Sequence, residues 1–189
     1  MANLIMGIIL FFGIHSISIF ARPLRDSLAA RSTIGWKLVY TLVSIGGIML
    51  IANGYADLRL EPVVLYTGPV WLRHLSSLLI LPVFILFIAS YIPCNIKARI
   101  KHPQLIAVKL WALGHLLVNG NLSDVILFGS FLIWAVAEII SMKKRQPVSE
   151  TAGATSKIND LFVVIAGVVA FVAFAKFVHF PLIGVAPFG

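Results

Sequence analysis

Histidine is the residue type in this sequence best suited to chemistry, since an imidazole can bind a metal ion or carry a proton. Two of the five histidines, His15 and His115, lie inside long hydrophobic runs, where ionisable side chains are uncommon. On a helix, Phe11 lies one turn before His15 and Trp111 one turn before His115, so each imidazole has an aromatic neighbour on its own face. This pattern predicts either hydrogen bonds between helices or a flat hydrophobic ligand held between the two histidines.

The hydrophobic runs that must position these histidines dominate the composition of the chain. Of its 189 residues, 60% are apolar and 12% charged, and the mean hydropathy is +1.00, which excludes a soluble globular domain. The 15 Lys and Arg against 7 Asp and Glu give a net charge of +8. These cations fall in short gaps between hydrophobic runs, which favours membrane topology over nucleic-acid binding. The single Cys94 excludes an intrachain disulfide and a paired-cysteine motif.

Six hydrophobic runs are each predicted to form a membrane-spanning helix. The runs are residues 4–20, 36–56, 70–92, 103–119, 122–142 and 161–180. The predicted fold class is therefore an all-α polytopic transmembrane bundle, organised as one integral membrane domain over residues 1–189. Pro82 is expected to kink the third helix. Asn121 is expected to cap the fifth helix, with Asp124 three positions later, so that the fourth and fifth helices form a tight hairpin.

The loops between these runs predict the orientation of the chain in the membrane. The first, third and fifth loops are rich in Lys and Arg, whereas the second has few and the fourth has none. By the positive-inside rule, both termini are expected to lie outside the cytoplasm. The fifth loop, residues 143–160, is polar and rich in turn-forming residues, which predicts a flexible cytoplasmic connector rather than a domain.

The remaining ionisable residues near the helix ends have more ordinary interpretations. On this topology His74 and His179 lie at a depth similar to that of His115, so either could be its partner, or both could be solvated at the interface. His102 precedes the fourth helix, where it is expected to contact lipid phosphate, loop backbone or an anionic ligand. Glu138 is expected to reach water beside the basic cluster that follows it.

Lys176 has the same interpretation, because it lies just over one turn from the outer end of the sixth run. The sequence contains no HExxH zinc motif, nucleophile elbow, phosphate-binding loop or dinucleotide fingerprint. Hydrolase or kinase chemistry of the soluble type is therefore not indicated.

A long pattern, KHPQLIAVKLWALGHLLVNG, occupies residues 101–120 in the middle of the chain. It resembles the NnrU family of bacterial membrane proteins and carries the strongest part of the likeness. Shorter segments extend it over nearly the whole chain: GIHSISIF, GPVWLRHL, YIPCNIKARIKHP, NDLFVVIAG and FVHFPLIG. The resemblance implies a multi-pass protein of the bacterial inner membrane, associated with nitrite and nitric oxide reduction.

The NnrU family is in turn similar to the zeta-carotene isomerases, membrane enzymes in which histidines hold a b-type haem. Their HP motif and their downstream histidine are matched here by His102-Pro103 and His115, and their early motif by residues 11–16. The resemblance implies that His15 and His115 hold the iron of haem b. Because the two differ in predicted depth by about 10 Å, His74 is the competing second ligand.

Cations near the predicted cytoplasmic side could pair with the haem propionates, and these are Arg22, Arg25, Lys101 and Lys109. The first interpretation is thus a haem b protein in the lipid bilayer, and the resemblance implies a haem-dependent isomerase acting on a hydrophobic small molecule as its enzymatic form. Two alternatives come from other functional classes. An HP motif before a glycine-bearing helix and an Asn also resembles the isoprenylcysteine methyltransferases, which bind S-adenosylmethionine. The other is a non-enzymatic assembly subunit of a reductase complex, for which oligomeric contacts would matter.

Overall fold

A computed structural model describes residues 1–145 and 156–187. Over these residues the chain is a bundle of helices, which confirms the predicted all-α class. The helices are α1 (Ala2–Phe20), α2 (Arg22–Arg31), α3 (Thr33–Leu58), α4 (Leu72–Ala89), α5 (Asn95–Arg99), α6 (Pro103–Val118), α7 (Leu122–Arg145), α8 (Lys157–Ala173) and α9 (His179–Ile183). A π-helical turn, Phe174–Val178, joins α8 to α9 without a break.

Five of the described helical segments are long and apolar enough to cross a membrane: α1, α3, α4, α7 and the continuous segment from α8 to α9. The sixth predicted span, α6, is apolar but has 16 residues. At a rise of 1.5 Å per residue it measures about 24 Å, less than the roughly 30 Å of a hydrocarbon core. The helix α4 continues through Pro82, where a kink was predicted.

Two of the predicted loops contain short helices that hydropathy does not reveal. The first loop forms α2, in which a proline occupies the first turn and Arg31 ends the helix, where a cation is favourable. The third loop forms α5, and the sulfur of Cys94 accepts a hydrogen bond from the backbone N–H of Lys97 at its start. Both helices carry the basic residues that the topology argument placed in cytoplasmic loops.

The predicted bounds of the connector, residues 143–160, are wrong at both ends. The helix α7 continues to Arg145, and α8 already begins at Lys157. Asp160 accepts hydrogen bonds from the Asn95 side chain (2.6 Å) and from the backbone N–H of Ile96 (3.2 Å), which docks α8 onto α5. The central part of the predicted connector, residues 146–155, lies outside the described residues.

The helices pack as a pair, α1 with α3, against a group formed by α4, α6, α7 and α8, and α7 is the main contact between them. One cluster of buried side chains spans this junction and consists of Leu4, Ile51, Ala112, Leu127 and Phe128. Two smaller clusters lie between α4, α6 and α8. The core therefore contains the helix faces that carry His15 and His115.

One end of the bundle is closed by the turn between α6 and α7. The loop between α3 and α4 pairs with this turn. Leu65 donates its N–H to the carbonyl oxygen of Gly120 (2.8 Å), and Leu122 donates its N–H to the carbonyl oxygen of Val63 (2.8 Å). The Asp124 carboxylate accepts from the backbone N–H of Asn121 at 3.0 Å. This bond is the Asp124 half of the predicted capping arrangement, and the packing of α6 against α7 across their short turn confirms the predicted hairpin.

Candidate ligand-binding cleft

The candidate site is a cleft of about 540 Å³ between α1, α2, α3, α6 and α7, at the end of the bundle that carries the basic segments. Sites for small ligands in proteins usually have volumes of roughly 300–1,000 Å³. The cleft is lined by Ile14, His15, Ser18, Arg25, Trp36, Lys37, Tyr40, Thr41, Gln104, Leu105, Trp134, Glu138 and Met142. It combines aromatic and aliphatic walls with a few polar groups, as ligand pockets commonly do.

His15 lies on the wall of this cleft, and its protonation is fixed by its neighbour one turn earlier. Its Nδ1 lies 2.6 Å from the carbonyl oxygen of Phe11. A carbonyl only accepts, so the neutral imidazole carries its proton on Nδ1 and has its lone pair on Nε2. The ring stacks on Phe11 at 4.1 Å and contacts Tyr40 at 4.9 Å and Trp134 at 5.7 Å between centroids. Metal-binding histidines usually have their ring nitrogens arranged in this way, with one N–H donated to a carbonyl or carboxylate oxygen and the other nitrogen left to bind the metal.

Glu138 faces the same cleft, and the prediction that it reaches water is wrong. Glu138 is only 9% exposed, so its carboxylate does not reach solvent. Its Oε1 accepts a hydrogen bond from Nη2 of Arg145 at 2.8 Å. Arg145 is held in place, since it also donates to the carbonyl oxygens of Ser18 (2.9 Å) and Ser141 (3.2 Å). The ion pair therefore keeps the carboxylate inside the bundle rather than at its surface.

Two polar atoms at this site are buried and have no partner within the described part of the chain: Oε2 of Glu138 and Nε1 of Trp134. A carboxylate oxygen accepts hydrogen bonds, and an indole N–H donates one. Buried polar atoms in native structures are nearly always paired with protein or with a bound molecule. Both atoms are enclosed by protein, so each has lost its hydration without gaining a partner, which costs folding free energy.

His115 lies in a different environment from His15. Its Nδ1 lies 2.8 Å from the carbonyl oxygen of Trp111, and its ring stacks on Phe128 at 4.6 Å and an interplanar angle of 21°. The two histidines are linked by a series of ring contacts that runs from His15 through Phe11, Phe131 and Trp111 to His115, with centroid separations of 4.1, 5.6, 5.2 and 5.3 Å. One iron bound by both imidazoles would require these rings to move.

The remaining histidines lie away from the cleft. His74 is exposed in the first turn of α4, near the opposite end of the bundle. His179 is half-buried, its Nδ1 donates to the carbonyl oxygen of Val185 (2.7 Å), and it lies within electrostatic range of His115. His102 precedes α6 as its half-buried N-cap residue.

Of the four cations predicted to meet an anionic group, Arg25 lines the cleft and forms an ion pair with Asp26 at 2.7 Å. Lys37, which was not predicted for this role, lines it as well. Arg22 is exposed and pairs with Asp26 at 3.5 Å. Lys101 is exposed at the start of α6, and Lys109 is half-buried farther along that helix. Two cations and aromatic walls would suit a flat ligand that carries negative charge.

Sequence reasoning missed Trp134, Glu138 and Arg145, although their spacing contains a signal. Positions 134, 138 and 145 are four and seven residues apart, so on α7 they share one face. That face also bears Phe131, which contacts both Phe11 and Phe12 of α1. A charged residue on an aromatic helix face is better interpreted as facing a neighbouring helix than as facing lipid.

No group of three or more His, Cys, Asp and Glu side chains that could hold a metal ion occurs in the described residues. A haem needs one or two ligands from the protein, so a single histidine beside an aromatic cleft fits this requirement.

Comparison with known proteins gives one match. The sequence model of the family described as "NnrU protein" matches residues 3–187, nearly the whole chain. No curated protein and no solved structure matches the chain.

Proposed function

The chain belongs to the NnrU family, and from this premise we propose that it binds haem b in the cleft, with His15 as an axial ligand. The observation that carries the proposal is the geometry of His15. Its Nδ1 is bonded to the carbonyl oxygen of Phe11 at 2.6 Å, and the side chain lines a cleft of about 540 Å³. The nitrogen with the lone pair is thus free to ligate a metal, while the other is already satisfied.

The cleft residues support a flat and partly anionic ligand. Trp36, Tyr40 and Trp134 offer apolar ring surface, and Arg25 and Lys37 offer positive charge for carboxylates. The haem would supply an iron for redox or ligand-binding chemistry. Phe11 fixes the orientation of His15 through its carbonyl group and its stacked ring. The protein residues therefore orient the ligand and exclude water from one side of it.

The resemblance to known families suggests two roles for such a site, an accessory function in nitrite and nitric oxide reduction and a haem-dependent isomerisation. The first is the proposed role, because the chain's own family is associated with it. The second is favoured by the aromatic walls and the aliphatic side chains of Ile14 and Leu105, which suit a polyene. The methyltransferase alternative has no such observation in its favour. Addition of nitric oxide to the reduced protein tests the first role, since it should shift the haem absorption bands.

We expect the protein purified from haem-replete cells to show a Soret band, and His15→Ala to lower its haem affinity by at least about 100-fold. His74→Ala is the matched control, because that imidazole is exposed and lies near the other end of the bundle. His115→Ala should also retain haem, since its ring is stacked on Phe128 away from the cleft. Absorption spectra and haem stoichiometry measure all three.

The outcomes of this experiment separate the alternatives. A colourless wild-type protein would refute haem binding. Loss of haem in His115→Ala with retention in His15→Ala would show that His115, rather than His15, is the axial ligand. Loss in both variants would show that two histidines bind one iron, and hence that the intervening rings move.

A further inference from the structure

A second pocket lies at the end of the bundle opposite the cleft. It has a volume of about 280 Å³ and forms where the loop between α3 and α4 meets the turn between α6 and α7. The helix α6 runs between the two sites, because Gln104 near its start lines the cleft and Val118 at its end lines the pocket. No residue lines both sites within the described ranges, so a ligand of the pocket does not compete with haem.

The walls of this pocket are held in place by backbone hydrogen bonds. The carbonyl oxygen of Gly120 accepts from the N–H groups of Leu65 (2.8 Å) and Tyr66 (3.2 Å). The hydroxyl of Tyr66 donates to the carbonyl oxygens of Leu116 and Asn119, the latter at 3.0 Å. A side chain at Gly120 would overlap the backbone of Tyr66. The loop and the turn are thus in direct contact, and the pocket exists before a ligand arrives.

Several polar side chains of the pocket are open to a ligand. The hydroxyl of Thr67 and the side-chain amides of Asn119 and Asn121 line it, and none of the three has a hydrogen-bond partner in the described part of the chain. Thr67 is exposed and both asparagines are half-buried, so a molecule in the pocket can reach them. Each of the three can donate a hydrogen bond.

The charge at the pocket favours an anion. Arg73, exposed in the first turn of α4, is a lining residue, and no acidic side chain joins it among the described residues that line the pocket. Asp124 lies nearby but is 2% exposed, and both of its oxygens are already bonded, to Tyr55 and to the N–H of Asn121. A ligand therefore meets one cation and several neutral donors, a set that suits an oxyanion.

We propose that this pocket binds the phosphate group of an anionic phospholipid. An Arg guanidinium pairs with a phosphate through two parallel hydrogen bonds. The helix α6 measures about 24 Å, so its end at Val118 lies near the headgroups when its start is at the opposite surface. Next to the pocket, Val70 and Trp71 are 71% and 61% exposed, as lipid-facing residues at this depth commonly are. A soluble phosphate ester has the same polar group but would leave this apolar surface uncovered.

The test uses the full-length protein, delipidated in a neutral detergent and titrated with phosphatidylglycerol or phosphatidylcholine of identical acyl chains. Native mass spectrometry measures the affinity for the first bound lipid. We expect phosphatidylglycerol to bind about 10-fold more tightly. Both lipids carry a phosphate, but choline adds a cation beside Arg73, where no acidic side chain lines the described pocket.

Two substitutions place the lipid in the pocket. Arg73→Gln removes the charge, so it should weaken phosphatidylglycerol by about 10-fold and abolish the preference. Lys176→Gln is the matched control, because it removes one exposed cation from the π-helical turn, away from the lining residues. Thr67→Val keeps the shape of the side chain but removes its hydroxyl, and it should weaken phosphatidylglycerol by about 5-fold. Since Thr67 is exposed, this variant decides the question if Arg73→Gln is unstable.

Equal affinity of the wild type for the two lipids would overturn the proposal. Equal weakening by Arg73→Gln and Lys176→Gln would also overturn it, since net charge rather than the pocket would then control binding. Glycerol 3-phosphate is the probe for a soluble source. We expect it not to displace the lipid at equal concentration, and displacement would overturn a lipid as the ligand. The His15→Ala variant should keep the lipid preference whether or not it binds haem.

Discussion

Asp124 and Glu138 are two buried carboxylates on one helix, and they differ in how fully they are hydrogen-bonded. Asp124 is 2% exposed, and each of its oxygens has a partner. Oδ1 accepts from the hydroxyl of Tyr55 at 2.5 Å and Oδ2 from the backbone N–H of Asn121 at 3.0 Å. Glu138 uses only one oxygen. A carboxylate with no unused acceptor is expected to stabilise the fold, whereas an unused acceptor that is enclosed by protein costs folding free energy.

This difference predicts that Asp124→Asn destabilises the protein without changing ligand binding in the cleft. An amide has one acceptor oxygen, so if that oxygen keeps the bond to the Asn121 N–H, the NH₂ group faces the Tyr55 hydroxyl, which must turn to accept and loses its stronger bond to a carboxylate. The expected loss is about 1–3 kcal/mol in the free energy of unfolding. Thermal unfolding in detergent measures it. Asp57→Asn is the control, because Asp57 is exposed on α3 and its change should be within about 0.5 kcal/mol.

Sequence reasoning identified the role of Asp124 and misjudged Glu138 for a physical reason. The cap of Asp124 is local, since its acceptor and the Asn121 donor are three residues apart. Glu138 looked solvated because a basic cluster follows it within two turns. In the structure, however, Arg145 of that cluster points back along the helix to meet Glu138 and Ser18. Spacing along one helix does not reveal which face meets a neighbour.

At the scale of elements, α1 and α3 approach each other closely at two glycines of α3. A β-carbon added to Gly54 would lie 2.3 Å from the backbone nitrogen of Leu4, and one added to Gly47 would lie 2.9 Å from that of Phe11. The obstacle in each case is backbone, which cannot move aside as a flexible side chain can. Small residues let membrane helices approach closely and gain dispersion contacts, since lipid provides no hydrophobic drive between them.

We therefore expect Gly54→Ala to separate α1 from α3 and to cost about 1–3 kcal/mol. Gly46→Ala is a matched control on the same helix, because nothing lies within 4 Å of its added β-carbon. That substitution should be neutral or stabilising by up to about 1 kcal/mol, since alanine favours the helix. Comparing their thermal unfolding in the same detergent checks the predicted loss of stability in Gly54→Ala and the predicted neutral or stabilising effect of Gly46→Ala. Equal destabilisation by the two variants would contradict this account, because helix propensity favours alanine at both positions and, of the two, only Gly54 faces a backbone obstacle.

Hydropathy predicted the long helices well, because a membrane-spanning helix is specified by its own run of apolar residues. It missed α2 and α5, and it placed the end of α7 and the start of α8 several residues short. These parts are polar and depend on contacts made by tertiary structure. Asp160 with Asn95 and Arg145 with Ser18 are examples, and each pair is more than 60 residues apart in sequence.

At the scale of the whole molecule, the cleft itself could not be predicted from the sequence. It is formed by residues of α1, α2, α3, α6 and α7, and its volume depends on how these helices pack at one end of the bundle. The sequence did indicate that histidines and aromatic rings would meet. It did not show that Phe11, Phe131 and Trp111 would lie along the path from His15 to His115. The predicted pairing of these histidines about one iron therefore lacks support in the packing.

The arrangement of charge over the molecule predicts its orientation. Arg25 and Lys37 of the first basic segment meet Gln104 at the start of α6 and Met142 near the end of α7 around one cleft. The basic segments thus gather at one end of the bundle, and the positive-inside rule places this end in the cytoplasm. With six crossings, both termini are expected outside.

Fusions of a reporter that is active only in the cytoplasm test this orientation, and α6 is the decisive element because its 16 residues are short for a span. A fusion after Arg145 should be active, since it follows the basic end of α7. Fusions after Gly120 and at the carboxyl terminus should be inactive. If α6 did not cross the membrane, the bundle would have five spans, and the fusions after Gly120 and at the carboxyl terminus would be active while that after Arg145 was not. A reversed orientation gives the same pattern, so a fusion after Arg31, in the first basic segment, separates the two: it is active with five spans and inactive when the orientation is reversed.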